Sequence, residues 1–146
     1  MSVPENARTK GKLEACVKVH DLACYTLQIT TNKKNFPEQF QAALTDKIVS
    51  AALDIHTLAW SANNVLVNSP EDLAERLGYQ ERAAVVCNVL LSLIEVAHRV
   101  FHLPTKRAVY WSGKAIETRN LIRAWRESDR KRYSDKFKKI TIGCRL

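Results

Sequence analysis

Residues 106–132 read KRAVYWSGKAIETRNLIRAWRESDRKR, and their spacing makes a helix with two chemically distinct faces. Arg119, Arg123, Arg126 and Arg130 recur at i, i+4, i+7 and i+11, the interval that stacks side chains along one side of an α-helix. Trp111, Ala115, Ile122 and Trp125 occupy a neighbouring face, so the helix can pack through its indoles and present its guanidinium groups elsewhere. This stretch is predicted to be the last of four long helices, with Thr105 as its cap after the break at Leu103-Pro104.

The helix before it carries two apolar stripes. Ala83, Cys87, Leu90, Ile94, Ala97 and Phe101 make one, and Val86, Val89, Leu93, Val96 and Val100 make another. Asn88, Ser92, Glu95, Arg99 and His102 are left as a narrow polar strip. A helix in a single four-helix bundle needs one apolar stripe, so the second predicts burial against another subunit. Asn68-Ser69-Pro70-Glu71-Asp72 is a helix start: Ser69 can cap, Pro70 suits the first helical position, and two acids complement the positive helix end. Gly78 is expected to separate a short first turn from a main helix beginning near Tyr79.

Further upstream, a helix is predicted from Pro37 to about Val67, with Leu44, Ile48, Ala51, Ile55, Leu58, Ala62 and Val65 alternating in steps of four and three. Small Ala51, Ala52, Ala59 and Ala62 would let a neighbouring helix come close. The first helix runs from Lys12 to about Thr31, with Leu13, Val17, His20, Cys24 and Leu27 as its bundle seam. Residues 1–11 read as a flexible arm and residues 133–146 as an irregular basic tail, so residues 12–132 form the folded unit. No hairpin dipeptide or Gly-rich loop is present. Four helices with short connections predict an all-α, up-down-up-down four-helix bundle.

At 146 residues the chain is long enough for one domain to bury its own core. Its charge is unevenly placed. Residues 106–146 hold thirteen Lys or Arg against four Asp or Glu, whereas residues 1–105 hold ten against eleven. The whole formal excess of +8 therefore sits in the last segment, which favours a polyanionic partner bound through counterion release. A solvated face that keeps the protein soluble is the alternative. Cys16, Cys24, Cys87 and Cys144 form no CxxC pair, and the first three sit in apolar helical patterns, as reduced buried thiols would. No apolar run is judged long enough to span a bilayer and the N-terminus lacks a signal-peptide core, so a cytoplasmic protein with no membrane partner is expected.

Catalytic signatures are missing: no HExxH, GxSxG, Walker A or GxGxxG pattern occurs. Cys16, His20 and Cys24 at i, i+4 and i+8 offer metal-ligand atoms from one helix, but a zinc site usually mixes elements, and core residues are the better reading. His98 and His102, beside Glu95 and Arg99, read as a solvated polar face. Glu117 and Glu127 lie among arginines where ion pairing explains them. No catalytic residue, metal site or cofactor is expected.

The arginine line is the functional candidate, because a planar guanidinium can make two parallel charge-assisted hydrogen bonds to phosphate. Flanking Lys106, Arg107, Lys114, Lys131 and Arg132 would extend the patch. Such contacts carry no base sequence. Trp111 and Trp125 have ring faces that can stack on bases, but they share the core-facing side.

FPEQFQAALTDKIVSAALDIHTLAWSANN (36–64), ERAAVVCNVLLSLIEVAHRVFHL (81–103) and YWSGKAIETRNLIRAW (110–125) together resemble the Avd-like accessory proteins of diversity-generating retroelements, which are related to the four-helix bundles encoded in rRNA intervening sequences. The likeness covers about Leu13 to Arg132. It implies a homopentameric barrel that binds RNA or DNA through a positive surface and associates with the element's reverse transcriptase. That complex supports mutagenic retrohoming, the copying of template RNA into cDNA that diversifies a target gene. It also implies nucleic-acid contact at Lys47, where the family commonly has a basic residue, and at Arg119, Arg123 and Arg126 in the basic last helix. The chain is thus expected to be a non-enzymatic accessory subunit; the alternative is a bundle of the intervening-sequence type with no polymerase partner.

Overall fold

The computed structural model describes residues 5–145, with side chains described over residues 11–138. Four α-helices and no strand occur among the described residues: α1 (Glu5–Thr30), α2 (Asp46–Asn64), α3 (Pro70–Phe101) and α4 (Thr105–Arg145). Each helix packs on two others, α1 and α3 both lying against α2 and α4. Neighbours run antiparallel, since Lys18 meets Glu117 while Thr26 meets Trp111, and Arg76 meets Asp129 while Asn88 meets Arg119. The chain is a four-helix bundle.

Local chemistry explains the helix ends. Ser69 Oγ accepts from the Asp72 backbone N–H at 3.1 Å, Pro70 opens α3, and Glu71 and Asp72 sit in its first turn. α3 ends at His102, whose φ of 54° is the left-handed conformation that closes helices. Pro37 starts not an α-helix but a 3-10 turn (Glu38–Phe40), followed by a π turn (Gln41–Thr45) before α2 begins. This entry is pinned by Phe36, fully buried with its ring edge-on to Phe101 and Trp111.

The core follows the expected lines of α2, α3 and α4. Ile48, Ala51, Ala52, Ile55, Ala59 and Ala62 face Ala83, Cys87, Leu90, Ile94 and Ala97, closed by Trp111, Ala115, Ile122 and Trp125. Small side chains along α2 let the helices approach closely.

Four expectations are corrected. On α1 the buried line is Ala15, Val19, Leu22, Thr26 and Ile29, whereas Leu13 is 62 % and Val17 49 % exposed, with His20, Cys24 and Leu27 also outside. Both lines keep helical spacing and hold Val and Leu, and the one through Ala15 is covered by α2 and α4. α1 already begins at Glu5, so seven residues of the expected arm are helical, and residues 1–4 lie outside the described part. α3 runs through Gly78 without a break, the cost of one glycine being offset by capping and packing over 32 residues. The backbone of the expected irregular tail continues α4 to Arg145.

α3 is also apolar and long enough to cross a membrane by length and composition, with an 18-residue window of mean hydropathy 1.7. The two stripes together leave that window few charges. It is 28 % buried: Ala83, Ala84, Cys87, Leu90, Ile94 and Ala97 turn inward, and Val86 and Leu93 of the expected second stripe are partly buried against the same core rather than bare. Val85, Val89, Val96 and Val100 form the outer face of α3, each more than two-fifths exposed.

Candidate nucleic-acid interface

The four arginines of α4 share one side of the helix, and α3 holds two of them, Arg119 and Arg126. Arg119 Nη1 donates to Asn88 Oδ1 at 2.9 Å, and its other nitrogens reach Asn120. Arg126 Nε donates to the Leu77 carbonyl at 3.2 Å and lies 3.7 Å from Glu81. Arg130 makes a bidentate pair with Glu127, at 2.9 and 2.6 Å. That hydrogen-bonded guanidinium holds the Glu127 carboxyl below its usual range, while the carboxylate raises the Arg130 pKa. Arg123 is exposed and has no partner among the described residues. The edge thus presents one free guanidinium between two that α3 orients, Arg119 through the neutral Asn88 amide and Arg126 through the Leu77 carbonyl and the Glu81 carboxylate, with the most screened at the end.

The flanking cations do not all extend this edge. Lys114 sits over Tyr25 of α1 and over Tyr110, on the opposite flank of α4. Arg132 packs over Tyr133 and lies 3.8 Å from Asp129. Arg107 acts electrostatically on Tyr25, which places it on the α1 side too. Lys131 approaches Glu127 at 3.8 Å, and Lys106 is exposed at the start of α4. Lys47 belongs to another surface, a groove between α2 and α3 that it shares with Asp46, Asp54, Val86 and Val89. The ten candidates therefore divide into an arginine edge, an α1-side group, outer positions and a separate α2 site. A helix period of 3.6 residues accounts for this, since Arg132 is two residues beyond Arg130 and so points to the far side.

Both α4 indoles are withdrawn from any ligand that needs a ring face at the surface. Trp111 is fully buried, with Nε1 donating to Thr26 Oγ1 at 3.0 Å, and Trp125 is buried beneath the Arg76 guanidinium. The suggested metal-ligand atoms do not converge: Cys16 is buried while His20 and Cys24 face outward, so the expectation of a buried Cys24 is also corrected. Cys144 lies outside the described side chains. His20 instead meets His56 of α2, ring nitrogens 3.3 Å apart, with His56 stacked on Trp60. No group of three or more His, Cys, Asp or Glu suited to a metal occurs among the described residues.

Sequence reasoning missed a buried polar cluster. Arg76 Nε and Gln80 Nε2 both donate to Asp129 Oδ2 at 2.8 Å, and all three residues are nearly inaccessible. The available signal was helical register: Arg76 and Gln80 precede Ala83 and Cys87 by whole turns, and Asp129 follows Ile122 and Trp125 at the same spacing.

Comparison of the chain with protein-family models, with curated proteins and with solved structures gives no match.

Proposed function

We propose that this chain is a non-enzymatic accessory subunit that binds nucleic acid and a reverse transcriptase and supports template-RNA-directed cDNA synthesis, as the resemblance to Avd-like proteins implies. The arginine edge supplies phosphate contacts and the outer valine face of α3 is the surface through which copies assemble, into a pentamer on this reading. The observation that carries it is the juxtaposition on neighbouring helices of a free Arg123 flanked by Arg119 and Arg126 with the uncovered Val85, Val89, Val96 and Val100. A long apolar face left bare on one chain supports self-association, and an adjoining guanidinium row supports a polyanion on the assembled surface.

Reconstitution tests this. cDNA synthesis by a reverse transcriptase encoded beside this gene should depend on the added chain and fall when Arg119, Arg123, Arg126 and Arg130 are replaced by Gln. Synthesis indifferent to the chain would remove the accessory role, and a genome with no neighbouring reverse transcriptase would favour the intervening-sequence type of bundle.

A further inference from the structure

Between Lys12 of α1 and the end of α2, a half-open pocket of about 280 Å³ is lined by Lys12, Asn63, Arg76, Trp125, Asp129 and Arg132, with Val65, Leu66 and Val67 on its apolar side. Its lining is incompletely satisfied. Trp125 is 3 % exposed, yet its Nε1–H has no acceptor; Arg132 Nε and Asn63 Oδ1 are likewise buried without partners. Native interiors rarely leave such groups unpaired, because each forfeits its hydrogen bonds to water.

The charge balance narrows what could satisfy them. Among the described lining residues, Lys12, Arg76 and Arg132 face one carboxylate, Asp129, leaving two positive charges in excess. Asp129 is already committed, with Oδ2 taken by Arg76 and Gln80 and Oδ1 lying 3.8 Å from Arg132. Aromatic stacking is not on offer, because Arg76 covers the Trp125 ring at 5.5 Å and Arg132 covers Tyr133 at 4.2 Å. The space exceeds the roughly 30 Å³ share of one water and falls just short of the roughly 300 Å³ at which drug-sized sites begin. A compact dianion with several acceptor oxygens meets all these conditions.

We propose that this cavity binds the phosphate group of a phosphate monoester. Trp125 Nε1–H, Arg132 Nε–H and Asn63 Oδ1, closed off from solvent in this structure, are uncovered on binding: the first two donate to the phosphate oxygens, Asn63 Oδ1 accepts from a hydroxyl on the organic part, and Lys12 with the two guanidinium groups balances the charge. The site is distinct from the arginine edge, which faces α3, and does not rest on the nucleic-acid reading.

The test is a titration of the 15N-labelled full chain with glycerol 3-phosphate and with inorganic phosphate, at constant ionic strength set by chloride. The three indoles, Trp60, Trp111 and Trp125, each give an Nε1–H signal. The Trp125 signal should move saturably downfield, while that of Trp111, held by Thr26, stays in place. Trp125→Phe removes the signal, and Arg132→Lys, which keeps the charge but loses Nε–H, should weaken binding about tenfold. A 5′-phosphorylated trinucleotide that saturates more tightly than glycerol phosphate, and more tightly than its 5′-hydroxyl form, assigns the site to strand ends; equal affinity for the two phosphates assigns it to a free metabolite. An unmoved Trp125 signal, a shift reproduced by chloride alone, or unchanged binding in Arg132→Lys would overturn the proposal. Replacing the four edge arginines by Gln should leave the Trp125 shift intact, so failure of the edge and failure of the cavity are separable.

Discussion

Arg76 and Asp129, 53 positions apart, form a 2.8 Å ion pair between α3 and α4 with both side chains less than a tenth exposed. Both charges have left water, so the pair adds little net stability over an apolar substitute, but breaking it strands a buried charge. Asp129→Ala should lower the free energy of unfolding by about 3–5 kcal/mol in urea titration. The double replacement Arg76→Met with Asp129→Leu should lose far less. A small loss for the single variant would mean that the pair is not sequestered.

Thr26 and Trp111 join α1 to α4 by one buried hydrogen bond. Thr26→Val keeps the shape and leaves the indole N–H without an acceptor, which should cost about 1–3 kcal/mol. Equal stability of the variant and the parent would show that the indole finds another partner.

Cys87 is fully buried, and burial pushes its thiol up from the ordinary value of 9.0 to about 12. The nearby Arg119 and Arg123 oppose the shift without overcoming it. The raised folded-state pKa means that between pH 9 and 12 the unfolded chain has released a proton that the native chain retains. Stability should therefore be fully present below pH 9 and fall above it, with a slope from this thiol of up to about 1.4 kcal/mol per pH unit. Cys87→Ala should show a shallower alkaline decline. Parallel pH profiles for the two proteins would contradict the shift.

The legible parts of the fold are those where large apolar residues and the buried line coincide. On α2 and α3 the steps of three and four lead to the core directly, and the Ser69-Pro70 start is realised atom for atom. α1 is different because it carries two candidate lines, and a reading weighted to large side chains selects Leu13, Val17 and Leu27. α2 and α4 instead cover Ala15, Val19 and Leu22, and with Val and Leu on both lines spacing alone does not choose between them. Phe36 was obscured by its polar neighbours in the α1–α2 connection. Arg76 and Asp129 were obscured because charge ordinarily marks a surface, and only their mutual contact makes burial tolerable. The arginine line was visible as a period, but its pairing with Asn88, the Leu77 carbonyl and Glu127 depends on α3 and local rotamers that no spacing rule contains.

Val89 and Val96 lie on the outer face of α3, bare within one chain. Light scattering at moderate salt should give a molar mass several times 16.6 kDa, near fivefold if the assembly is the expected pentamer. Val89→Glu combined with Val96→Glu should reduce it to a single chain with helix content retained. A parent protein that is itself a 16.6 kDa monomer would leave this face to some other partner.

The most direct test of the nucleic-acid reading is the affinity for single-stranded RNA, measured by fluorescence anisotropy across a salt series. The parent protein should show log affinity falling linearly with log salt. Replacement of Arg119, Arg123, Arg126 and Arg130 by Gln should weaken binding and flatten that slope by about 0.7 for each phosphate that is no longer neutralised. Unchanged affinity and slope in that variant, with its fold intact, would contradict the assignment of the arginine edge as the phosphate-binding surface.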